Sequence, residues 1–425
     1  MPALLDKGRG MAGWVYRIAL WLAFPWLFVD SLRRAIRAPA QHRIWLAQWG
    51  RLSSELPTGA IWLHAVSLGE VRAARPLIAA LREDWPDCPL ILSTTTETGA
   101  RAARELGVPH FYAPFDYAFV QYLVFRRLRP KLLVVMETEL WPNWLRAARA
   151  QNVPVALVNA RLSDRSFSRY RRWGGHLLRD TLSCIRLICA QSEADRACFE
   201  ALGASSADTV IQDCGNIKYD VALPTTVPWC AGERFVWLAA STHPGEEAVV
   251  LAAHRQVLID MPDALLVLVP RHPERATAVA ALIAEAGLAG QVGDDASTVA
   301  PGTQVFLLAQ TGVLMRFFAA IPVVFMGGSL VPIGGHNPIE PALFGRAVVT
   351  GPQTRNFRDI YRQLDEHQAV RTVTNGSELA QAVLDAGRAP EDWRAVGDRA
   401  RGVVADNRGA TQRIMTGLAR LLPSP

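Results

Sequence analysis

The sequence predicts an α/β protein with two doubly wound, Rossmann-like domains that face a cleft, preceded by a hydrophobic N-terminal helix. Short continuous apolar runs alternate with helical patterns, which is typical of parallel sheets covered by helices on both faces. The alternation stops at a Pro/Thr-rich break, residues 224–228, and then restarts. A chain of 425 residues is also too long for one ordinary hydrophobic core, which favours two domains.

The predicted domains divide the apolar runs into two series. We expect an N-terminal anchor over 1–37, a first Rossmann-like domain over 38–222 and a second over 223–425. Strands of the first are expected at 61–66, 90–93, 110–112, 132–136, 155–158, 187–190 and 209–211. Strands of the second are expected at 235–239, 265–269, 304–308, 323–326 and 347–350. The last helical pattern, 412–422, could fold back over the first domain.

The composition indicates a folded protein with anionic partners. Hydrophobic residues make up 50% of the chain and charged residues 20%, which excludes a disordered protein. The net charge of +6 suits phosphates, sugar acids or acidic lipid headgroups. No nucleic-acid-reading motif is present, so we expect no nucleic-acid partner. The six cysteines and nine histidines show no CxxC, zinc spacing or HExxH, so we expect reduced thiols, no metal and no other cofactor.

The N-terminal segment is apolar and aromatic from residue 11 to residue 29, apart from Arg17. Three interpretations are open: a cleaved signal peptide, a spanning helix, or a helix lying in the membrane interface. Pro25 and Arg17 leave a spanning helix barely long enough. Four arginines follow the segment, which predicts membrane attachment with the rest of the chain on the cytoplasmic side. They are Arg33, Arg34, Arg37 and Arg43.

The stretch 60–81 organises the first domain as a strand, a tight turn and a helix. Ser67 and Glu70 have the spacing of a capping box, so Glu70 can be a structural capping residue. Alternatively, Glu70 is a functional carboxylate, because it follows the carboxyl end of a parallel strand, where open α/β sheets bind their ligands.

A second acidic loop follows the strand expected at 132–136, in the sequence METELWPNW. Glu137 and Glu139 come directly after buried residues, where carboxylates must be solvated, paired or functional. Arg161 and Arg165 follow the next strand along the chain. A structural Glu–Arg pair and a functional acidic loop are both open interpretations.

Four further strand ends carry loops suited to anions. Lys218 lies in the loop 213–220, and the loop 241–247 opens a helix whose free amides can bind an anion. The loop 271–275 adds two arginines and a histidine. The glycine-rich stretch 327–352 allows close backbone approach, and its Glu340 is either part of an Asn-x-x-Glu cap or an acceptor for a ribose hydroxyl.

These loops share their motifs with one family. The motifs are HAVSLGE, METELWPN, NARLSDRS, GNIKYD, STHPGEE, PRHPER and GGHNPIEPALFG. From about residue 62 to residue 356 the chain resembles the bacterial 3-deoxy-D-manno-octulosonic acid (Kdo) transferases. The resemblance implies a GT-B glycosyltransferase that moves Kdo from CMP-Kdo to a tetra-acylated lipid A precursor (lipid IVA), with inversion and without a bound metal, at the cytoplasmic face of the inner membrane. The first domain would then bind the acceptor and the second the donor.

The resemblance also assigns roles to residues. Glu70 would be the general base, kept ionised by its position at a helix N-terminus. Glu137 would stabilise the transition state, with Glu139 the weaker choice, and Lys218 would offset negative charge on the donor. The residues expected to bind CMP and Kdo are Ser241, Thr242, His243, Arg271, His272, Gly312, Val313, Leu314, Gly335, Asn337, Pro338, Ile339 and Glu340.

One segment departs from the family pattern. Residues 309–314 read AQTGVL, where the family usually has Asp-Thr-x-Gly-Glu-Leu, so Val313 stands at the position of a glutamate. Backbone amides at 312–314 remain available for the nucleotide. Three other functions stay open: a glycosyltransferase with another donor or acceptor, a sugar-nucleotide epimerase, and a non-catalytic relative. The arginine-flanked N-terminus argues against the epimerase, and retention of Glu70, Glu137 and Lys218 argues against the non-catalytic relative.

Overall fold

The computed structural model describes residues 11–37, 39–204, 208–221, 229, 234–294, 298–310 and 312–422. The chain forms two compact units. The first contains Met1–Val221 together with Arg408–Pro425, and the second contains Ala222–Asn407. The break expected at 224–228 lies outside the described residues.

The first unit is built on a parallel sheet of seven strands in the order β3-β2-β1-β4-β5-β6-β7. The strands are β1 (Ile61–His64), β2 (Leu90–Thr94), β3 (His110–Tyr112), β4 (Leu132–Met136), β5 (Val155–Ala160), β6 (Leu187–Ala190) and β7 (Val210–Asp213). The helices before residue 204 are α1 (Met11–Arg37), α2 (Pro39–Gln48), α3 (Leu68–Ala73), α4 (Arg75–Asp84), α5 (Glu97–Glu105), α6 (Ala118–Leu128), α7 (Pro142–Ala150), α8 (Asp164–Trp173), α9 (Gly175–Leu182) and α10 (Glu193–Ala201). Every residue of β1, β2, β4, β5 and β6 is buried, because helices cover both faces of the sheet.

The second unit repeats this plan, with the strand order β10-β11-β9-β8-β12-β13-β14. The strands are β8 (Val236–Thr242), β9 (Leu265–Pro270), β10 (Gly290–Gly293), β11 (Val305–Leu308), β12 (Val323–Met326), β13 (Ala347–Thr350) and β14 (Val370–Thr372). The helices are α11 (Glu246–Asp260), α12 (Ala276–Glu285), α13 (Leu314–Ala320), α14 (Ile339–Leu343), α15 (Arg358–Glu366), α16 (Gly376–Arg388) and α17 (Pro390–Asp406). The chain then returns to the first unit as α18 (Ala410–Leu418).

The predicted fold class is confirmed, since both units are parallel Rossmann-like sheets. Two strands were not predicted, β10 and β14. Both lie at the edges of the second sheet and are short and largely exposed. They lack the continuous apolar run that marks an interior strand of a parallel sheet.

The N-terminal helix α1 lies against the first unit. The Tyr16 hydroxyl donates to the Asp116 carboxylate at 2.7 Å, and the Tyr117 hydroxyl donates to the Leu20 carbonyl at 2.9 Å. Phe24 packs edge-on against Trp49 and Tyr117. The segment Gly13–Arg37 is long and apolar enough to cross a membrane, and 6% of its most apolar stretch is buried. One face of α1 is therefore docked, and most of the helix surface is exposed.

Candidate active site

The candidate catalytic residues of the first unit gather where the strand order reverses. Strand β1 pairs with β2 on one side and with β4 on the other. In open α/β sheets, this switch point opens a crevice at the carboxyl ends of the strands. Glu70 follows β1 on α3, and Glu137 follows β4 directly. The sheet therefore brings two carboxylates to the crevice from sequence positions 67 residues apart.

Glu70 is held by the turn that precedes it. One of its carboxylate oxygens accepts the Val66 amide at 2.8 Å, and the other lies 3.4 Å from the Ser67 hydroxyl. The expected capping box is not formed, because the Ser67 side chain caps no backbone amide of α3 and Glu70 accepts the Val66 amide instead of that of the N-cap residue Ser67. The turn thus fixes the orientation of Glu70 and leaves it half-buried at the sheet edge.

The expectation that the helix N-terminus keeps Glu70 ionised is wrong. The pKa of Glu70 rises from its ordinary value of 4.5 to about 7. Burial is the largest cause, and the charges of Glu137 and Glu139 add to it, while the Val66 hydrogen bond opposes it. Desolvation and like charges therefore outweigh the helix dipole. A carboxylate with a pKa near neutrality is well matched to taking a proton from a hydroxyl group.

Glu137 sits in a left-handed backbone conformation, with a φ of 55°. Such a conformation costs a non-glycine residue free energy and is common at functional sites. Its carboxylate lies 3.4 Å from the Lys218 ammonium, and both side chains are about one-fifth exposed. The two residues are 81 positions apart, so the pairing is a product of the fold.

Asn159 explains how Lys218 reaches Glu137. Asn159 is completely buried at the end of β5, where the pairing with β6 is irregular, and its φ is 52°. Its side-chain oxygen accepts the Ile217 amide at 3.1 Å, next to Lys218. Asn is one of the few residues that tolerate this conformation. The motifs NARLSDRS and GNIKYD are thus joined by one buried hydrogen bond.

The alternative of a Glu–Arg structural pair is not what the described residues form. The ion pair made by Glu137 is with Lys218, and Glu139 accepts a hydrogen bond from the Trp141 indole at 2.6 Å. Burial raises the pKa of Glu139. Arg161 contributes its backbone carbonyl, which accepts the Thr138 hydroxyl.

In the second unit, a buried carboxylate ties the two switch-point loops together. Glu246 begins α11 and is fully buried. Its oxygens accept the backbone amides of His243, Gly328, Ser329 and Leu330 at 2.6–3.0 Å. Glu246 therefore occupies those four amides. An anion at these loops would have to bind to their side chains and to their remaining backbone amides.

A cluster of three histidine rings borders these loops. The Nε2 atoms of His243 and His336 are 2.9 Å apart, and the His272 ring packs edge-on against His243. Burial, followed by the charges of His243, Arg271 and His272, lowers the pKa of His336 to about 4. Burial is also the main cause of the lowered pKa of His243. A bound anion would favour protonation of these rings, because an opposite charge stabilises the imidazolium.

Sequence reasoning missed His336, although it lies between two residues that were expected to bind substrate. The available signal was its position in GGHN, directly after a glycine pair with φ angles of 110° and 75°. Those angles bend the backbone so that the ring turns towards His243.

The other predicted binding residues divide into three groups. Asn337 lies just before the N-cap residue Pro338 of α14, and its side-chain oxygen accepts the Ile339 amide, while its side-chain nitrogen lies 3.4 Å from the Glu340 carboxylate. Three have buried side chains, Thr242, Pro338 and Ile339, so their contribution is to backbone shape. Ser241 has a φ of 58° at an irregularity in β8, and Gly335 is also left-handed.

The segment 312–314 lies apart from the histidine cluster in sheet order. It follows β11, which is separated from β8 by β9. Gly312 is exposed and left-handed, whereas Val313 is buried with the aromatic core of Trp229, Phe306 and Phe317. Val313 is thus a packing residue at the position where the family usually has a glutamate. Among the described residues, no group of His, Cys, Asp and Glu side chains could hold a metal ion.

Comparison with known proteins decides the family. The model of the 3-deoxy-D-manno-octulosonic-acid transferase (kdotransferase) matches residues 41–221. The 3-deoxy-D-manno-octulosonic acid transferase of Haemophilus influenzae is 37% identical over 86% of this chain and 88% of its own length. That of Bordetella pertussis is 36% identical over 97% of this chain and 99% of its own length. The chain belongs to the 3-deoxy-D-manno-octulosonic acid transferase family.

Membership of the Kdo transferase family confirms the resemblance carried by the motifs and makes the protein a glycosyltransferase. Solved structures agree on the fold. The UDP-GlcNAc 2-epimerase of Neisseria meningitidis covers 85% of this chain with a TM-score of 0.56 at 12% identity. A glycosyltransferase from Rickettsia africae covers 86% with a TM-score of 0.53 at 14% identity. Epimerases and glycosyltransferases share this architecture, so the site and the family, rather than the fold, separate the two functions.

Proposed function

We propose that this Kdo transferase moves Kdo from CMP-Kdo to a lipid A precursor in lipopolysaccharide biosynthesis, with inversion and with Glu70 as general base. The observation that carries the assignment of the base is the half-buried Glu70 carboxylate at the β1–β4 switch point, with its pKa raised to about 7. In a one-step inverting transfer, the base takes the proton of the attacking sugar hydroxyl while CMP leaves from the opposite face of Kdo.

Glu137 and Lys218 serve the developing charge. The electron-deficient anomeric carbon of the transition state is stabilised by a nearby carboxylate, which is the role of Glu137. Lys218 neutralises Glu137 at 3.4 Å and offsets negative charge on the donor. Glu139 is held by Trp141, and its charge helps to raise the pKa of Glu70. The first unit thus supplies the acceptor site and the base.

The second unit binds the donor. CMP-Kdo carries both a phosphate and a carboxylate, so its site must hold two anionic groups. Arg271, His272, His243 and His336 form a cluster of potential cations at the ends of β8, β9 and β12. The backbone around Gly335 and the residues Asn337 and Glu340 hold the nucleotide, and the amides at 312–314 make a second contact with it.

The enzyme works at the cytoplasmic face of the inner membrane, with α1 lying in the interface. Residues 16–24 of α1 bond to and pack against the first unit, which favours lying over spanning. The other face exposes large apolar side chains, and three arginines near the end of α1 are exposed for acidic headgroups. The exposed apolar residues include Trp14, Ile18, Trp21, Leu22 and Trp26.

The test is transfer of Kdo to the tetra-acylated lipid A precursor, with CMP-Kdo generated in situ. We expect Glu70→Gln to lower kcat by about 10²–10⁴-fold, the usual contribution of a general base, with CMP affinity unchanged in calorimetry. The kcat of the wild type should rise with pH through about 7, because the base acts in its ionised form. Glu105→Gln, which alters an exposed glutamate of α5 in the same unit, is the matched control.

The same assay separates the alternatives. CMP binding without Kdo transfer by the wild type would indicate a different donor sugar or acceptor. A Glu70→Gln variant that retains wild-type kcat would assign the base to another group. A wild type that neither binds CMP nor transfers Kdo would point to the altered segment at Gly312 as the cause.

A further inference from the structure

A buried carboxylate that is not among the proposed catalytic residues, Asp116, holds the end of the loop that contains Glu137 and Glu139. Asp116 lies between β3 and α6 and is 6% exposed. Its two oxygens accept the backbone amides of Asn143 and Trp144 at 3.0 and 2.7 Å. The Asn143 side-chain amide returns a hydrogen bond to the Asp116 carbonyl at 2.5 Å. One residue thus makes three hydrogen bonds to the first turn of α7.

Helix α7 needs this partner. The first amides of a helix have no acceptor within the helix, and they are usually satisfied by the side chain of the N-cap residue. Here the N-cap is Trp141, whose side chain makes no capping hydrogen bond, and Pro142 follows it. Asp116 takes the place of the cap from a different part of the chain, and its negative charge also suits the positive end of the helix dipole.

The loop between β4 and α7 contains Glu137 and Glu139. At its beginning, the Glu137 amide donates to the Val158 carbonyl at 3.0 Å, which fixes that end to β5. At its other end, the loop enters α7 at the turn that Asp116 holds. Trp144 also packs edge-on against His64 at the end of β1, with ring centroids 4.8 Å apart. Asp116 therefore secures the point from which both acidic side chains are presented.

The membrane helix reaches the same carboxylate. The Tyr16 hydroxyl of α1 donates to Asp116 Oδ2 at 2.7 Å, on the oxygen that also accepts the Asn143 amide. Burial raises the pKa of Asp116 to about 6, and the Tyr16 and amide hydrogen bonds oppose the rise. The ionised form of Asp116 is thus the one that satisfies all of its donors.

We propose that Asp116 is a positioning residue for the acidic loop 137–141 and that Tyr16 makes the docking of α1 part of the same positioning. The chemical step then depends on the Tyr16–Asp116 hydrogen bond that α1 contributes, while donor binding, which belongs to the second unit, does not. For its kinetic consequence this inference rests on the proposed function; its structural consequence stands independently of it.

The experiment compares two hydroxyl deletions on the contact between α1 and the first unit. Tyr16→Phe removes the hydrogen bond to Asp116, and Tyr117→Phe removes the matched hydrogen bond to the Leu20 carbonyl without touching Asp116 or α7. Both are measured in the full-length protein in mixed detergent–lipid micelles. The readouts are kcat, KM for CMP-Kdo, and hydrogen exchange of peptides covering 137–148.

We expect Tyr16→Phe to lower kcat about fivefold, because Asp116 loses one donor but keeps the two backbone amides of α7. The variant should leave KM for CMP-Kdo within about twofold and speed exchange at the start of α7. Tyr117→Phe should match the wild type in all three. Asp116→Asn should lower kcat further, since an amide group then faces a backbone donor, and Tyr16→Phe keeps the test decisive if that variant does not fold.

Equal effects of Tyr16→Phe and Tyr117→Phe on kcat and exchange, or no effect of either, would overturn the proposal. If the wild type transfers no Kdo, the proposed function fails, and the exchange measurement alone then decides the inference. In that case unchanged exchange at 137–148 in Tyr16→Phe overturns it, and faster exchange in that variant alone supports it.

Discussion

The two units place a glutamate at the same topological point and treat it in opposite ways. Glu70 lies in the first turn of the helix after the first strand of the first sheet, and Glu246 begins the helix after the first strand of the second. Glu70 accepts one backbone amide and stays half-buried beside two other carboxylates. Glu246 accepts four backbone amides and is completely buried.

The number of donors separates a chemical role from a structural one. A carboxylate with four donors, such as Glu246, has its hydrogen-bonding capacity filled by the backbone. A carboxylate with one donor, partly removed from water and next to like charges, holds its proton near neutral pH. A glutamate at the corresponding position of each sheet therefore links two loops in the second unit and is a candidate base in the first.

The largest expected effect comes from replacing the Glu246 carboxylate, which links the two loops of the second unit. We expect Glu246→Gln to lower the free energy of unfolding by about 3–5 kcal/mol, because the carboxamide keeps one acceptor oxygen and turns an amide group towards buried backbone donors. Chemical denaturation of the full-length protein, followed by circular dichroism, measures it. Glu274→Gln, on an exposed side chain of the neighbouring loop, is the control, and a loss below about 1 kcal/mol would contradict the structural role of Glu246.

At Glu70 we expect the opposite change, a higher free energy of unfolding when the carboxylate is replaced. The folded state binds the Glu70 proton more tightly than the unfolded state, so stability is lost as pH rises from 4.5 through about 7. Glu70→Gln removes this loss. We expect the variant to match the wild type near pH 4 and to exceed it by about 1–3 kcal/mol at pH 8. Unfolding measured at both pH values checks this. A variant that is less stable than the wild type at pH 8 would show that the Glu70 carboxylate stabilises the fold, as the Glu246 carboxylate does.

A smaller effect is expected at Asn159, which joins two of the motif loops. Asn159→Ala and Asn159→Gly both lose the hydrogen bond to the Ile217 amide. Only the alanine variant must also adopt a φ of 52° with a Cβ atom. We expect the alanine variant to be less stable than the glycine variant by about 1 kcal/mol. Thermal unfolding of the pair measures the difference, and equal stability would mean that the backbone relaxes at this position.

The sequence predicted most of the strands and the motif loops, and few of the contacts that the fold makes between them. The interior strands were predicted because each is a continuous apolar run, and Glu70, Glu137 and Lys218 were proposed as site residues because their motifs are long. The edge strands β10 and β14 were missed, since an exposed edge imposes no such pattern. The domain roles and the site residues stay predictions that the experiments above can test.

The pKa values and the long-range hydrogen bonds could not be predicted, because they depend on residues that only the tertiary structure brings together. The helix-dipole argument for Glu70 used only its own helix, whereas burial and the loop after β4 decide its pKa. The Tyr16–Asp116 hydrogen bond joins residues 100 positions apart, and no spacing rule relates them. The sequence predicts an anion-binding loop around Glu246 and does not reveal its structural role, because three of the four amides that it accepts come from a loop more than 80 residues away.

The return of the chain as α18 has a consequence for synthesis. Ala410, Ile414, Met415 and Leu418 belong to the same hydrophobic core as strands β1 and β4, and the Gly409 amide donates to Asp220 at 2.7 Å. On the ribosome, all of the second unit emerges before this helix does. The second unit can therefore complete its fold first, while the first unit, although begun earlier, waits with an open core. The nascent first unit is thus the part of the protein that most needs protection from aggregation during translation.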